Sequence, residues 1–254
     1  MPWRLLVLLM AMTAIGPAML NVIVPALPGL VTRLGADTGT VQLTISIYLL
    51  SFATAQLVLG PLSDRFGRRP VLLAGLALSV IASFAAIAAS SIGALIAVRI
   101  VQAFGASAGM VIGRAIIRDL YDRDRAAAMI GLVTTAMVLA PMVSPLIGGV
   151  LDTAFGWEAI FLFLAALTGA VLIWATAVLP ETRVVSAPLS LGNLWQEWRA
   201  LLGSATFHGY VLCGALGSAS FFTFIGGAPH VVVSLMGRSS AEFGVWFAII
   251  SLGY

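Results

Sequence analysis

The segment Gly60-Pro-Leu-Ser-Asp64-Arg65-Phe-Gly67-Arg68-Arg69-Pro70 decides how this chain is organised. It carries three arginines and one aspartate, and an apolar run of about 20 residues stands on each side of it. A turn this charged at the end of a membrane span can face only water and headgroups. Because arginines concentrate in cytoplasmic loops, we expect this segment on the cytoplasmic side.

The composition indicates an integral membrane protein. The 254 residues are 61% hydrophobic and only 9% charged, whereas a soluble domain of this size needs far more polar surface. All thirteen basic residues are arginines, spread between apolar runs. They are not clustered as a face for nucleic acid requires, so no nucleic-acid partner is predicted. Cys213 is the single cysteine, which excludes a disulfide framework.

Seven stretches are apolar over about the 20 residues that a membrane-spanning helix needs. We predict an uncleaved first span that runs unbroken to about Leu27, followed by six more. The seven spans are 5–27, 41–60, 70–90, 92–113, 126–150, 159–179 and 207–228. An eighth apolar stretch, 241–254, is too short to cross the bilayer, so we expect the chain to be a fragment of a longer protein.

The arginines also orient the spans. With the N-terminus in the cytoplasm, ten of the thirteen arginines fall in cytoplasmic segments. The outer loops then hold only Arg33 and Arg238, and Arg99 lies within the fourth span. This bias predicts a cytoplasmic N-terminus.

The longest loop divides the chain into three predicted parts. They are an N-terminal six-helix half at 1–179, a cytoplasmic linker at 180–206, and the start of a second half at 207–254. The linker has apolar residues at helical spacing, which predicts a short helix on the cytoplasmic headgroups: Leu191, Leu194, Trp195 and Trp198. The predicted fold class is an all-α membrane protein that ends in helix seven and an incomplete helix eight.

The charged turn resembles the signature G-x-L-x-D-R-x-G-R-R of the major facilitator superfamily. Further pieces, in order, resemble the Bcr/CflA subgroup of drug:proton antiporters: Pro25-Ala-Leu-Pro28, Arg99-Ile-Val-Gln102, Arg114-Ala-Ile-Ile-Arg118-Asp119 and Leu179-Pro-Glu-Thr182. This resemblance covers essentially the whole chain. It implies a six-helix bundle of a transporter and a missing C-terminal half.

The resemblance also implies a role for the turn, as a conformational latch between two six-helix halves. Asp64 would approach a helix end in the second half, and Arg68 would pair with Asp119 at the inner end of the fourth span. The latch would then comprise Gly60, Asp64, Arg65, Gly67, Arg68, Arg69 and Asp119. Ordinary charge that orients the spans is the alternative explanation of the arginines.

Arg99 is the residue whose placement in the membrane costs the most free energy, because it lies roughly 10 Å inside the outer end of the fourth span. Asn21 lies about 9 Å deep in the first span, at the same level. Gln42 and Gln102 can complete a polar cluster there. Together with Tyr48, these residues are the candidate substrate and proton pathway. A structural arginine bonded to carbonyls and amides is the alternative.

Asn21 departs from the pattern of the subgroup, whose members typically carry Asp at this place. An amide cannot carry a proton, and no Asp or Glu lies within the core of a predicted span. Proton coupling would therefore reside in the missing half, or depend on Arg99 without this carboxylate.

The fifth span combines Pro141 and Pro145 with Gly148 and Gly149. We predict that the prolines bend the helix and that the glycines let a neighbouring helix approach closely. The stretch resembles a motif of antiporters, with a static kink as the alternative. The two acids that follow, Asp152 and Glu158, are predicted to be solvated.

No metal-ligand spacing, nucleophile–base pair or phosphate-binding glycine loop is found in the sequence, so we predict neither an enzyme nor a cofactor or metal site. The hypothesised function is export of small amphipathic antibiotics from a bacterial inner membrane by alternating access, exchanged for protons. Its partners would be a drug, protons and the lipid bilayer. The alternatives are an exporter of an endogenous metabolite and a truncated fragment that does not transport.

Overall fold

The computed structural model describes residues 3–183 and 198–252, in which all regular structure is helical. The main helices are α1 (Trp3–Asn21), α2 (Leu27–Arg33), α3 (Thr38–Phe66), α4 (Arg68–Ile87), α5 (Ile92–Leu120), α6 (Arg123–Phe155), α7 (Trp157–Val178), α8 (Ala205–Pro229) and α9 (Ser240–Leu252). A 3₁₀ turn at Val24–Ala26 connects α1 to α2, and a π-helical turn at His230–Leu235 extends α8. The predicted all-α fold class is confirmed.

Seven segments of these helices are long and apolar enough to cross a membrane, with α1 and α2 together forming the first and α8 with its π turn the seventh. Large apolar side chains on their outer surfaces are more than half exposed, as contact with lipid requires: Leu50, Leu57, Ile81 and Ile173. The seven predicted spans are therefore present.

The first span is present as predicted, but the α-helix within it is interrupted. α1 ends at Asn21, and the helix resumes only at Leu27. Pro25 lies in the 3₁₀ turn between them, and Pro28 lies in the first turn of α2. Pro25 has no N–H group to donate to the carbonyl four residues earlier, and its ring clashes with the preceding helical turn, so both effects favour the interruption at this point. Hydropathy did not reveal the interruption, because the residues of the break are themselves apolar.

The charged turn is much shorter than the sequence suggests, because only Gly67 lies outside a helix. Asp64 belongs to the last turn of α3, and Arg68 and Arg69 form the first turn of α4. Gly67 has a φ of +98°, which glycine adopts readily and other residues rarely do. A Cβ at this position would lie 2.6 Å from the Glu181 carboxylate, which would have to shift.

α5 lies at the centre of the described bundle, with α1, α3 and α4 packed against it. Glycines at every fourth position allow this close approach. A Cβ at Gly105 would collide with the Gly75 carbonyl of α4, and one at Gly109 would collide with the Met12 carbonyl of α1. The sequence signal for this packing is the stripe Gly105, Gly109 and Gly113, a small-residue pattern typical of membrane-helix interfaces.

α6 runs without interruption through Pro141 and Pro145. Its paired glycines face two different neighbours. A Cβ at Gly148 would collide with the Val22 carbonyl beside the break in the first span, and one at Gly149 would collide with the Ser240 carbonyl at the start of α9. The outer end of α6 is therefore in direct contact with the backbones of two other elements.

The prediction that Asp152 is solvated is wrong. Its side chain is only 12% exposed, and one carboxylate oxygen lies 2.9 Å from the Ser240 hydroxyl. The start of α9 covers this carboxylate, and no signal in the local sequence indicated that contact. Glu158 is 48% exposed, as predicted for a solvated acid.

The predicted interfacial helix of the linker lies mostly outside the described residues. This applies to Leu191, Leu194 and Trp195, whereas Trp198 is described and lies in helical structure, together with the residues up to 202.

We predict that Gly148→Ala destabilises the protein, because its new methyl group would have to displace the Val22 carbonyl. Overpacking of this kind typically costs about 1–3 kcal/mol. In thermal unfolding of the detergent-solubilised protein we expect a melting temperature several degrees below that of the wild type. Gly169→Ala in α7 is the matched control, because no atom lies within 4 Å of its added methyl group. Equal melting temperatures for the two variants would contradict the packing of α6 on the first span.

Candidate functional site

Arg99, in α5, is fully buried and is held by three other side-chain or backbone groups. Its Nη1 donates hydrogen bonds to the Met19 carbonyl, at 3.0 Å, and to Oε1 of Gln102, at 2.6 Å. Its guanidinium carbon lies 4.1 Å from the centroid of the Tyr48 ring, which places the cation against the π face. The cation therefore joins α1, α3 and α5 at one point.

The Gln102 side chain extends this network into α4. Its Nε2 donates to Oγ of Ser83 at 2.8 Å, and the Ser83 hydroxyl donates to the Ser79 carbonyl at 2.8 Å. The Ser79 hydroxyl in turn lies 3.3 Å from the Gln102 carbonyl. Sequence reasoning missed both serines. Their spacing of four residues on one face of an apolar span was the available signal.

The end of α1 takes the place of a counter-ion for Arg99. Among the described residues, Arg99 forms no ion pair with a carboxylate, and its Nε and Nη2 atoms have no hydrogen-bond partner. Met19 lies in the last turn of α1, where backbone carbonyls lack partners within the helix. The negative end of the helix dipole favours a cation at this position. The break in the first span thus creates the site that holds Arg99.

Tyr48 fastens α3 to the same part of α1. Its hydroxyl donates to the Gly16 carbonyl at 3.0 Å, and its ring stacks on Phe52 with centroids 6.0 Å apart. The Phe52 ring occupies the space that a Cβ at Gly16 would need. The Tyr48 ring that covers Arg99 is consequently held by the hydrogen bond of its hydroxyl group and by its stacking on Phe52.

The structure does not bring all five candidate pathway residues together. Asn21 is buried, but its amide donates to the Pro17 carbonyl of its own helix, at 2.8 Å, and its Oδ1 has no partner. Gln42 donates instead to the Gly226 carbonyl of α8, at 3.1 Å. It lines a cavity of about 200 Å³ between α2, α3 and α8. Of the five, Tyr48, Arg99 and Gln102 form one cluster.

Arg68 is the centre of the charged helix ends. Its Nε lies 2.9 Å from Oδ2 of Asp119, and its Nη2 lies 2.7 Å from Oδ1 of Asp64. Its Nη1 donates to Oγ of Ser63 at 2.7 Å. Only 6% of the Arg68 side chain is exposed, so water screens these interactions weakly. Arg183 approaches Asp64 from the start of the linker, at 3.5 Å.

Glu181 caps α4, a contact that sequence reasoning missed. Its two carboxylate oxygens accept hydrogen bonds from the backbone N–H groups of Arg68, at 3.0 Å, and Arg69, at 3.1 Å. The first N–H groups of a helix lack partners, and a negative charge there is favourable. The sequence held a signal for this contact, because Gly67, which precedes α4, has no side chain that could cap the helix. The start of the linker is thereby attached to the charged motif.

Two residues of the motif contribute no side chain to these contacts, although the Gly60 carbonyl accepts a hydrogen bond from the Ser63 hydroxyl, at 2.8 Å. A Cβ at Gly60 would lie 3.8 Å from Val111, an ordinary distance, so this glycine is not required for close approach of the helices. Arg65 is exposed, with its guanidinium 5.0 Å from the Phe66 ring.

Seven apolar spans around a buried arginine, with paired charges at one end, define a multi-pass membrane protein. The family model of the Major Facilitator Superfamily matches residues 6–254, and the chain belongs to that superfamily. It is therefore a transporter-family protein and not a member of an enzyme family.

Several curated relatives are resistance proteins. The chain is 34% identical to multidrug resistance protein D of Escherichia coli (strain K12), over 96% of this chain and 65% of that protein. It is 37% identical to the chloramphenicol resistance protein of Pseudomonas aeruginosa, over 92% of this chain and 55% of the relative. A bicyclomycin resistance protein homolog of Haemophilus influenzae is 30% identical, over 82% of this chain and 52% of that protein. The resemblance to Bcr/CflA-like transporters is confirmed, and the chain spans between about half and two thirds of these relatives' length.

Solved structures show the same fold. A bacterial homolog of the human lysosomal transporter Spinster, inward-facing and unoccupied, superimposes with a TM-score of 0.80 at 17% identity, over 99% of this chain and 61% of that chain. The human organic anion transporter MFSD10 superimposes with a TM-score of 0.69 at 20% identity, over 99% of this chain and 70% of that chain.

We predict that Glu181→Gln loosens the first turn of α4, because the amide presents one acceptor where the carboxylate presents two and a charge. Loss of a cap typically costs about 1 kcal/mol. Hydrogen exchange followed by mass spectrometry should show faster deuterium uptake in peptides that cover residues 67–70. Asp122→Asn is the control, since Asp122 stands before α6 without a side-chain capping bond. Unchanged uptake in the Glu181 variant would contradict a capping role for this carboxylate.

Proposed function

We propose that this chain contributes the first half and part of the second half of a bacterial inner-membrane exporter of small amphipathic drugs, which works by alternating access and exchanges drug for protons. The observation that carries the proposal is the fully buried Arg99 at the interrupted end of α1. The names of the relatives, which cite multidrug, chloramphenicol and bicyclomycin resistance, support drugs as the substrates.

The proposed division of the chain into a first half, a linker and the start of a second half is based on the order of the helices. In this proposal, residues 1–179 form the first half, 180–206 the cytoplasmic linker and 207–254 the start of the second half. The distribution of arginines supports a cytoplasmic N-terminus, which places the Arg68 cluster on the inner face and the break in the first span on the outer side.

In this orientation the contacts between the two proposed halves support a conformation that is closed outside. Gln42 near the outer end of α3 bonds to Gly226 near the outer end of α8. Ser240 at the outer start of α9 bonds to Pro25 and to Asp152. Transport by alternating access requires that these contacts break when the inner face closes.

The proposed role of Arg99 is to hold the broken end of α1 while substrate or proton occupies the space beside it. Its Nε and Nη2 atoms and the Oδ1 atom of Asn21 are buried without partners. An unsatisfied buried polar atom costs about 1–3 kcal/mol, so these atoms favour any ligand that satisfies them. Tyr48 and Gln102 would hold the guanidinium in position. The structural role of the arginine and the functional one are therefore linked.

We predict that Arg99→Ala abolishes drug export without preventing membrane insertion. Efflux of a fluorescent amphipathic drug from cells that express the complete gene product should fall to the level of cells lacking the transporter. Loss of the cation leaves the Met19 carbonyl and the Gln102 side chain without their donor, so the end of α1 is no longer held.

Arg118→Ala is the matched control, because Arg118 lies exposed at the inner end of the same helix. Membrane-fraction immunoblots establish the amount of each variant. Efflux at the wild-type rate in Arg99→Ala would exclude this residue from the mechanism.

We predict that Asn21→Asp makes transport more sensitive to the proton gradient. The new carboxylate would stand two residues from the carbonyl that Arg99 binds, where it can accept and release a proton. Addition of an uncoupler should then reduce efflux several-fold more in the variant than in the wild type. Gln42→Glu makes the same kind of change at the contact with α8 and should leave uncoupler sensitivity near the wild-type level. An unaltered response of Asn21→Asp would argue against a coupling role for this position.

A further inference from the structure

A cavity of about 200 Å³ lies between the outer ends of α2, α3 and α8. α2 and α3 form one wall, and the end of α8 with its π turn forms the other. Most of the lining surface is apolar, with side chains of Leu27, Pro28, Val31, Val41 and Pro229. Because the walls belong to the two proposed halves, the cavity exists only while these halves are in contact on the outer side.

The local structure of α8 joins the two walls. At the end of α8 the His230 N–H group donates to the Gly227 carbonyl, three residues earlier. The Gly226 carbonyl accepts instead from Nε2 of Gln42 in α3, at 3.1 Å. A Cβ at Gly226 would meet no atom of another helix within 4 Å, so open space borders the backbone beside this bond. The hydrogen bond thus holds α3 against α8 without filling the gap between them.

The volume limits what the cavity can bind. An apolar cavity of about 150 Å³ holds one benzene molecule. Pockets for drug-sized ligands measure about 300–1,000 Å³, which is larger than this cavity. The cavity therefore fits a single ring with a small substituent, and it is too small for a complete drug-sized molecule.

The lining also limits the charge of the ligand. The described lining contains no Asp, Glu, Lys or Arg side chain, so a charged molecule would give up its hydration there without gaining an ionic partner. Thr38 and Ser234 offer hydroxyl groups, and Gln42 and His230 offer an amide and an imidazole. Such groups can exchange hydrogen bonds with a neutral hydroxyl or amide. An uncharged ring that carries one hydrogen-bonding group matches the cavity in size and in chemistry.

We propose that this cavity is an inhibitory site for a small, uncharged ring compound with one hydrogen-bonding group, of which benzyl alcohol is an example. The compound binds when the outer side is closed and holds α3 and α8 together. The inference rests on the proposed function, because it assigns α3 and α8 to opposite halves of an alternating-access transporter. A ligand that binds one of two conformations shifts the equilibrium toward that conformation. Bound compound therefore reduces the population that is open outside and slows export.

Fluorine NMR measures binding directly. The probe is para-fluorobenzyl alcohol, added to the purified, detergent-solubilised complete gene product. Its fluorine line broadens when the molecule exchanges with a site on the protein. Val31→Trp and Ser234→Trp are the wall variants, and each places an indole ring in the cavity, one from α2 and one from the π turn. At equal protein and detergent concentrations, both wall variants should lose most of the broadening.

Val7→Trp is the matched control, because Val7 is 41% exposed on α1 and does not line the cavity. It should broaden the line as the wild type does. para-Fluorobenzoate has the same ring and a negative charge, so its line should not differ between the wild type and the wall variants. Equal broadening of the alcohol line by the wild type and both wall variants would overturn the proposed site.

Labelling of a thiol on α9 measures the effect on conformation. Ala241 is half-buried, lies against Gly149 of α6 and does not line the cavity. Ala241→Cys is made in the complete gene product with the native thiol removed by Cys213→Ser. A membrane-impermeant maleimide is added to intact cells without drug, and its reaction reports how often α9 separates from α6. The alcohol should slow labelling several-fold and saturably, and both wall variants should remove this effect.

A labelling rate that the alcohol leaves unchanged would overturn the inhibitory role. Slowing that persists in both wall variants would also overturn it, because the alcohol would then act through the bilayer. Because labelling needs no drug, wall-dependent slowing in a protein that exports nothing would refute drug export alone. Unchanged labelling in an active exporter would refute only the inhibitory site.

Discussion

A guanidinium group buried among apolar helices must find its solvation within the protein, and this constraint organises the described bundle around Arg99. The cation needs a carbonyl with no helical partner, which exists only because α1 stops where it does. It also needs an aromatic face and an amide oxygen, which Tyr48 and Gln102 supply from α3 and α5. The serines of α4 then satisfy the rest of the Gln102 side chain. Four helices are thereby positioned by one charge that none of them could bury alone.

The two ends of the bundle are held by different physical means. At the end that carries Gly67, charged side chains meet unsatisfied helix termini. Arg68 joins two carboxylates, and Glu181 supplies the negative charge that the start of α4 lacks. At the opposite end, glycines of α6 bring backbones into contact, and hydrogen bonds to Ser240 complete the junction. Ionic contacts of this kind can exchange partners without a large loss of stabilising free energy. Backbone packing separates only as a unit. This difference fits a protein whose proposed cycle opens and closes its two faces in turn.

The chain belongs to the Major Facilitator Superfamily, and the charges at its helix ends and the arginine within its fourth span can be read directly from the sequence. The individual features of this chain lie elsewhere. Asn21, two residues from the carbonyl that Arg99 binds, leaves a buried amide oxygen unsatisfied, and Asp152 and the Pro25 carbonyl face the single hydroxyl hydrogen of Ser240. The amide oxygen of Asn21 is a place where a polar ligand would complete a network that the described residues leave incomplete.

The amino-acid sequence by itself determined the number of spans, the fold class, the family and the residues of the charged motif, because apolar length and the order of charges are local properties that need no partner. It also placed Arg68 and Asp119 at the same membrane face, where the structure joins them. Only the tertiary structure decided that Gln42 bonds to α8 and not to the Arg99 cluster, and that Glu181 and Asp152 are engaged. Those contacts join residues separated by many turns of chain, and no periodicity or composition specifies which distant group will reach an unsatisfied hydrogen-bonding atom.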